Sequence, residues 1–159
     1  MGEITDLTAS ARGPSIYAVA ASNTAEIRVG RLLEVRSGAG YRTKADVDGL
    51  FDAIWKARLN IAPGVAHVTI SDRRMTRAMA PEAAAYLKER LHVFEECTQR
   101  AATVVSPGMS IMPLQLQRAI QPELREYQVF EDEERAIAYL SDLLTYEERK
   151  RLRLFLAGA

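Results

Sequence analysis

Between Ala66 and Leu144 this chain alternates, three times, an apolar run of strand length with a segment of helical spacing. The runs are Ala66-His67-Val68-Thr69-Ile70, Ala102-Thr103-Val104-Val105 and Tyr127-Gln128-Val129-Phe130. Parallel neighbours in a sheet need a crossover between them, and a helix is the usual one. The repeated rhythm therefore predicts an α/β fold: a small mixed, mostly parallel sheet with helices packed on it, plus a C-terminal helix.

Upstream of that rhythm, residues 1–14 are small and polar and end in Gly13-Pro14, the pattern of a loose leader. Ser15 to Ala20 reads as a strand, Asn23-Thr24 as a turn. From Glu26 to Val35 the apolar residues Ile27, Val29, Leu33 and Val35 alternate with Arg28 and Glu34, with a break after Gly30. This predicts one bent strand, or two short ones, antiparallel to the first. Thr43 and Asp46 have the spacing of a capping box, opening a helix with Val47, Leu50, Phe51, Ile54, Trp55 and Leu59 on its buried stripe. Pro81 suits the first turn of a second helix that buries Ala84, Leu87, Leu91 and Phe94. Ser110 is placed to cap a third, and Thr145 with Glu148 forms a second capping box for the last. The expected organisation is a leader over 1–14, one domain over 15–144, and a helix over 145–159 packed on the domain or at an interface.

The composition narrows the function classes. Twenty-one Lys+Arg balance twenty-one Asp+Glu, so the basic excess of a general nucleic-acid binder is missing and no nucleic-acid partner is expected. A single cysteine, Cys97, excludes an intramolecular disulfide and any multi-cysteine zinc site. Met1 to Asp6 has neither a basic nor an apolar signal region, and no apolar stretch is long enough to span a bilayer. The expectation is a cytoplasmic protein with no integral membrane segment.

No catalytic set, metal site or cofactor motif stands out. Two histidines leave little for Ser-His-Asp chemistry, and Ser71 lacks the Gly-x-Ser-x-Gly elbow. Gly38-Ala39-Gly40 lacks the third glycine of a dinucleotide loop. His92, Glu95 and Glu96 have metal-like helical spacing but no further ligand. His67, in mid-strand, reads as packed, and Asp72 is the one residue an enzyme reading would name.

Three places resemble the SpoIIAA-like branch of the STAS superfamily. They are Val68-Thr69-Ile70-Ser71-Asp72, ending in an acid before a loop and helix; the strand and turn around Ala102-Thr103-Val104-Val105; and Val129-Phe130-Glu131-Asp132-Glu133-Glu134-Arg135-Ala136-Ile137-Ala138-Tyr139-Leu140, with its acidic cap before a helix. The resemblance covers about residues 15–144 and implies a mixed sheet with helices on one side, no intrinsic catalysis, and a role in binding partners or small ligands. Relatives that antagonise anti-sigma factors carry a phosphorylated hydroxyl at the start of the second helix. Met79-Ala80-Pro81-Glu82 stands there in this chain, so that switch is not carried over. The same branch is similar in structure to lipid-carrying CRAL-TRIO domains.

Ser71, Asp72, Arg73, Arg74 and Arg77 fall between a strand's C-terminal end and a helix's N-terminal end, where α/β sheets bind ligands. Three arginines beside the positive end of a helix dipole call for anions: a phosphate, a carboxylate or an acidic partner surface. The plain reading is a solvated loop with Asp72 and Glu82 as local partners. Gln115 and Arg118, three apart, share a helical face and form either a polar groove, an interface or a solvent face. Leu152, Phe155 and Leu156 need covering, by the domain, by a second copy of the chain or by another protein. Together these features read as a non-enzymatic STAS-like interaction or regulatory module with a protein partner, a homodimer remaining open. The alternative is a carrier or sensor of a small anionic or lipid-like ligand. That alternative requires an apolar cavity with Arg73 or Arg118 at its mouth.

Overall fold

The computed structural model describes residues 23–158. The leader over 1–14 and the strand over 15–20 lie outside the described residues. Five strands form one sheet in the order β1-β2-β3-β4-β5: Asn23–Ile27, Leu32–Ser37, His67–Asp72, Thr98–Val104 and Tyr127–Phe130. The first pair is antiparallel and every later pair parallel. Five α-helices accompany them: α1 (Lys44–Ala57), α2 (Pro81–Leu91), α3 (Ile111–Ala119), α4 (Glu133–Ser141) and α5 (Tyr146–Leu156). Among the described residues no helix is long and apolar enough to cross a membrane.

The layering follows from the strand order. From β2 to β5 the chain moves always in one direction across the sheet. Crossovers of a single hand then put α1, α2 and α3 on the same face. That face carries the larger core, in which Leu33, Val35, Ala101 and Tyr127 of the sheet meet Phe51, Leu87 and Leu116 of the helices. After β5 the chain returns behind the sheet. Leu32, Val68, Ile70, Ala102 and Val104 there pack against Ala136, Ile137 and Leu140 of α4 and Leu152, Phe155 and Leu156 of α5. Helices thus cover both faces, where the STAS resemblance implies one.

Both capping boxes form. Thr43 Oγ1 accepts from the Asp46 amide while Asp46 accepts from Thr43, and Thr145 and Glu148 do the same at α5. Several expectations need correction. Asn23-Thr24 is not a turn but the start of β1, and the Glu26–Val35 stretch contributes to two short strands that pair antiparallel with each other, from Asn23↔Ser37 to Ile27↔Leu33, joined across Gly30 at φ 55°. Trp55 and Leu59 leave the buried stripe of α1: the helix stops at Ala57, and Leu59, in the following short 3-10 turn, is 83% exposed. Ser110 sits at the N-cap of α3, yet its hydroxyl makes no capping bond.

Leu152, Phe155 and Leu156 are not an interface. They are buried in the second core, because α5 lies against β2 and leaves its apolar stripe nothing else to meet. The C-terminal end of α5 is held by two arginines near the C-terminal ends of β2 and β3: Arg36 donates to the Phe155 carbonyl at 2.9 Å and Arg74 to that of Leu156 at 2.6 Å. Cations at a helix C-terminus satisfy both its open carbonyls and its dipole.

Candidate functional site

β3 is the central strand, and its two faces differ in kind. Side chains of a strand alternate between faces, so Val68, Ile70 and Asp72 look toward α4 and α5 while His67, Thr69, Ser71 and, one residue past the strand, Arg73 look toward α1–α3. A central parallel strand under helices normally carries apolar residues on both faces. Here one face is a row of imidazole, two hydroxyls and a guanidinium.

The register extends that row into a floor. Leu33, Thr69, Ala101 and Tyr127 lie abreast across four strands, as do Val35, Ser71, Thr103 and Val129. Above the floor is a cavity of about 60 Å³. Leu50, Phe51 and Ile54 of α1 and Leu87 and Leu91 of α2 wall it, with Phe94, Ile120 and Leu124 at its sides. Its polar groups come from the floor: Thr69, Ser71, Thr103 and Tyr127, with Arg73 at one end and His67 at the other.

Arg73 is the outlier of the set. It is 2% exposed. Its Nε and Nη1 are buried with no hydrogen-bond partner, and no carboxylate pairs with it among the described residues. Its guanidinium carbon lies 4.8 Å from the centre of the Tyr41 ring, a cation–π contact that compensates part of the burial. Burial of a charge without a counter-charge is otherwise rare and costly. Its backbone is fixed: the amide donates to Val104 O at 2.9 Å, and Thr76 donates to the Arg73 carbonyl through both its amide and its hydroxyl, each at 3.2 Å.

The remaining groups are neutral. Burial, with the Arg58 charge adding to it, drives the His67 pKa down to about 3. Arg58 donates to His67 Nδ1 at 2.6 Å, so the proton sits on Nε2, which faces Thr98 Oγ1 at 3.0 Å. Burial pushes the Tyr127 phenol up to about 12, against the opposing pull of Arg73, and the phenol donates to Thr103 Oγ1 at 2.8 Å. One fixed positive charge therefore faces a neutral, hydroxyl-bearing, largely apolar cavity.

The other residues singled out from the sequence lie elsewhere, and the alternation of β3 is the reason. Asp72 and Arg74 are on the rear face, where Arg74 takes both carboxylate oxygens of Asp72 at 2.9 Å and also bonds Glu133 at 3.0 Å. Arg36 adds a contact to Asp72 at 3.3 Å. Burial raises the Asp72 carboxyl, but the Arg74 hydrogen bonds and the two positive charges outweigh it and hold the pKa below the usual value. A carboxylate so committed does not suit proton transfer. Arg74 is likewise no free partner contact but a clamp between β3, α4 and α5. Arg77 is exposed, beside the exposed Met75.

Gln115 and Arg118 do not form a shared groove. Gln115 exchanges two hydrogen bonds with the Met79 backbone, at 2.8 and 2.7 Å, pinning the loop after β3 onto α3; Arg118 stands exposed. The groups missed in the sequence are Thr69, Thr103 and Tyr127. Comparison with family models, with curated proteins and with solved structures found no match.

Proposed function

We propose that this protein is a non-enzymatic binding module that carries or senses a small anion, held by Arg73 in the cavity between the sheet and α1–α3. One observation carries the reading: a fully buried guanidinium with open donors and no acid, at the end of a cavity. Charges are retained in such places when a ligand completes them. The hydroxyls of Ser71 and Thr103 supply further hydrogen-bonding capacity on the same floor. The size of the cavity sets aside the long-chain lipid that the CRAL-TRIO likeness implies: one water needs about 10–15 Å³, so about 60 Å³ takes only a few atoms.

The protein-partner reading draws on fewer residues than the sequence suggested, since of its three arginines only Arg77 is exposed. It ranks second for that reason. Calorimetric titration with formate, acetate, nitrate and phosphate tests the first reading. Binding of at least one of these anions to the native protein, lost in Arg73→Met, is the expected result. Absence of binding by all of them, or unchanged binding in Arg73→Met, overturns it.

A further inference from the structure

We infer that the ligand of this cavity is a short-chain monocarboxylate, bound with its carboxylate on Arg73 and its hydrocarbon end among the residues of α1 and α2. This rests on the anion reading above and narrows it. The charge count selects a monoanion. Among the described residues that line the cavity, Arg73 is the single unpaired cation, and His67 and Tyr127 are held neutral. A phosphate dianion would bring a second negative charge into a wall of Leu50, Phe51, Ile54, Leu87 and Leu91 with nothing to meet it. A guanidinium, by contrast, matches a carboxylate in both charge and planar fork geometry.

The apolar wall selects a body as well as a head. The polar groups lie on the sheet side, interleaved with Leu33, Val35 and Ala101, while α1 and α2 contribute only hydrocarbon, so a ligand satisfying both has a charged end and an apolar end. Formate would leave the apolar part of the cavity empty. The volume sets the upper limit: about 60 Å³ corresponds to roughly four to six non-hydrogen atoms, on the scale of one water per 10–15 Å³. Acetate, propionate and butyrate span that range. Ala101, on the floor directly between Thr69 and Tyr127, is the position where added bulk would shorten the space.

The test is a chain-length series on the full-length protein: formate, acetate, propionate, butyrate, hexanoate and octanoate, with phosphate alongside, by calorimetry in a carboxylate-free buffer. Each methylene buried should tighten binding about fourfold, so butyrate should bind about fifteenfold tighter than acetate, with affinity falling again at hexanoate. Arg73-dependent binding that is equal from formate to butyrate would overturn this inference while leaving the anion site standing. So would phosphate binding more tightly than butyrate, or affinity still rising at octanoate. No binding of any anion would overturn both. Ala101→Val gives an independent reading: it should weaken butyrate about tenfold and leave acetate within about twofold, and equal loss for both would count against a tail lying over the floor.

Discussion

Replacing Arg73 by Met should stabilise the protein in the absence of ligand. Arg73 is 2% exposed, with two guanidinium nitrogens, Nε and Nη1, buried without acceptors. Desolvating an ion costs several kcal/mol even after the protein relaxes, a cost that already includes its unmade hydrogen bonds. The contact with the Tyr41 ring returns about 2 kcal/mol in a dry setting. Met keeps an unbranched chain of similar reach in the same space. The net expectation is a gain of about 2 kcal/mol, or about 4–8 °C in Tm for a domain of this size. Urea unfolding followed by far-UV circular dichroism, in a buffer without carboxylates or phosphate, measures it. The neighbouring Arg74→Met should do the opposite and cost about 2 kcal/mol, because it strips the buried Asp72 of its bidentate partner. A loss of more than about 1 kcal/mol in Arg73→Met would refute the reasoning, since it would mean that the charge is compensated within the protein.

Three further outcomes follow from the packing. His67 is neutral in the fold, with its pKa near 3 against 6.5 for an unperturbed histidine, so the unfolded chain binds the extra proton between those values. Stability should therefore be full above pH 6.5 and fall by about 1.4 kcal/mol per unit as the pH drops below it. His67→Gln should flatten that slope between pH 6.5 and 5, above the range where the lowered carboxyls of Asp46, Asp72 and Glu148 add theirs. Gly30→Ala should cost about 2 kcal/mol in chemical denaturation: the residue has φ 55°, and a Cβ would stand 2.6 Å from Glu148 Oε2, the atom that accepts from the Arg31 amide. Leu152→Ala should cost about 2–5 kcal/mol of unfolding free energy, as for any fully buried leucine, without a concentration-dependent shift in size-exclusion elution.

The elements were legible where local chemistry decides them. Thr43 with Asp46 and Thr145 with Glu148 open their helices as their spacing predicts, and Tyr127–Phe130 is a strand to the residue. The site was legible only in part. His67, Thr69, Ser71 and Arg73 alternate with Val68 and Ile70, which in a sequence describes a strand with one face in water. Both faces are in fact covered, because the chain continues behind the sheet after β5, and nothing local in β3 announces that. The same cause split the cluster from Ser71 to Arg74. Contiguity made it one loop patch, whereas the pleat sends Ser71 and Arg73 into the cavity and Asp72 and Arg74 into the rear layer. Thr103 and Tyr127 join the site through strand pairing across 24 residues of sequence, which spacing along the chain does not carry.

The rear layer explains how a buried cation can persist at all. An arginine on a loose loop would swing its charge to solvent and the cavity would close over the gap. Arg73 has no such freedom. Asp72 before it and Arg74 after it are locked to each other and to Arg36, Glu133 and the end of α5. Its own amide and carbonyl are tied to Val104 and Thr76. With both neighbours committed to one face of the sheet, alternation leaves the Arg73 side chain only the other, under α1 and α2. The ion-pair cluster on the rear face thus supplies stability that offsets the strain of an open charge on the front. A ligand arriving at the front meets a donor already desolvated and oriented, which lowers the ordering cost of binding. The opposite signs expected for Arg73→Met and Arg74→Met are the two sides of that arrangement, stability given up at the site and recovered by its support.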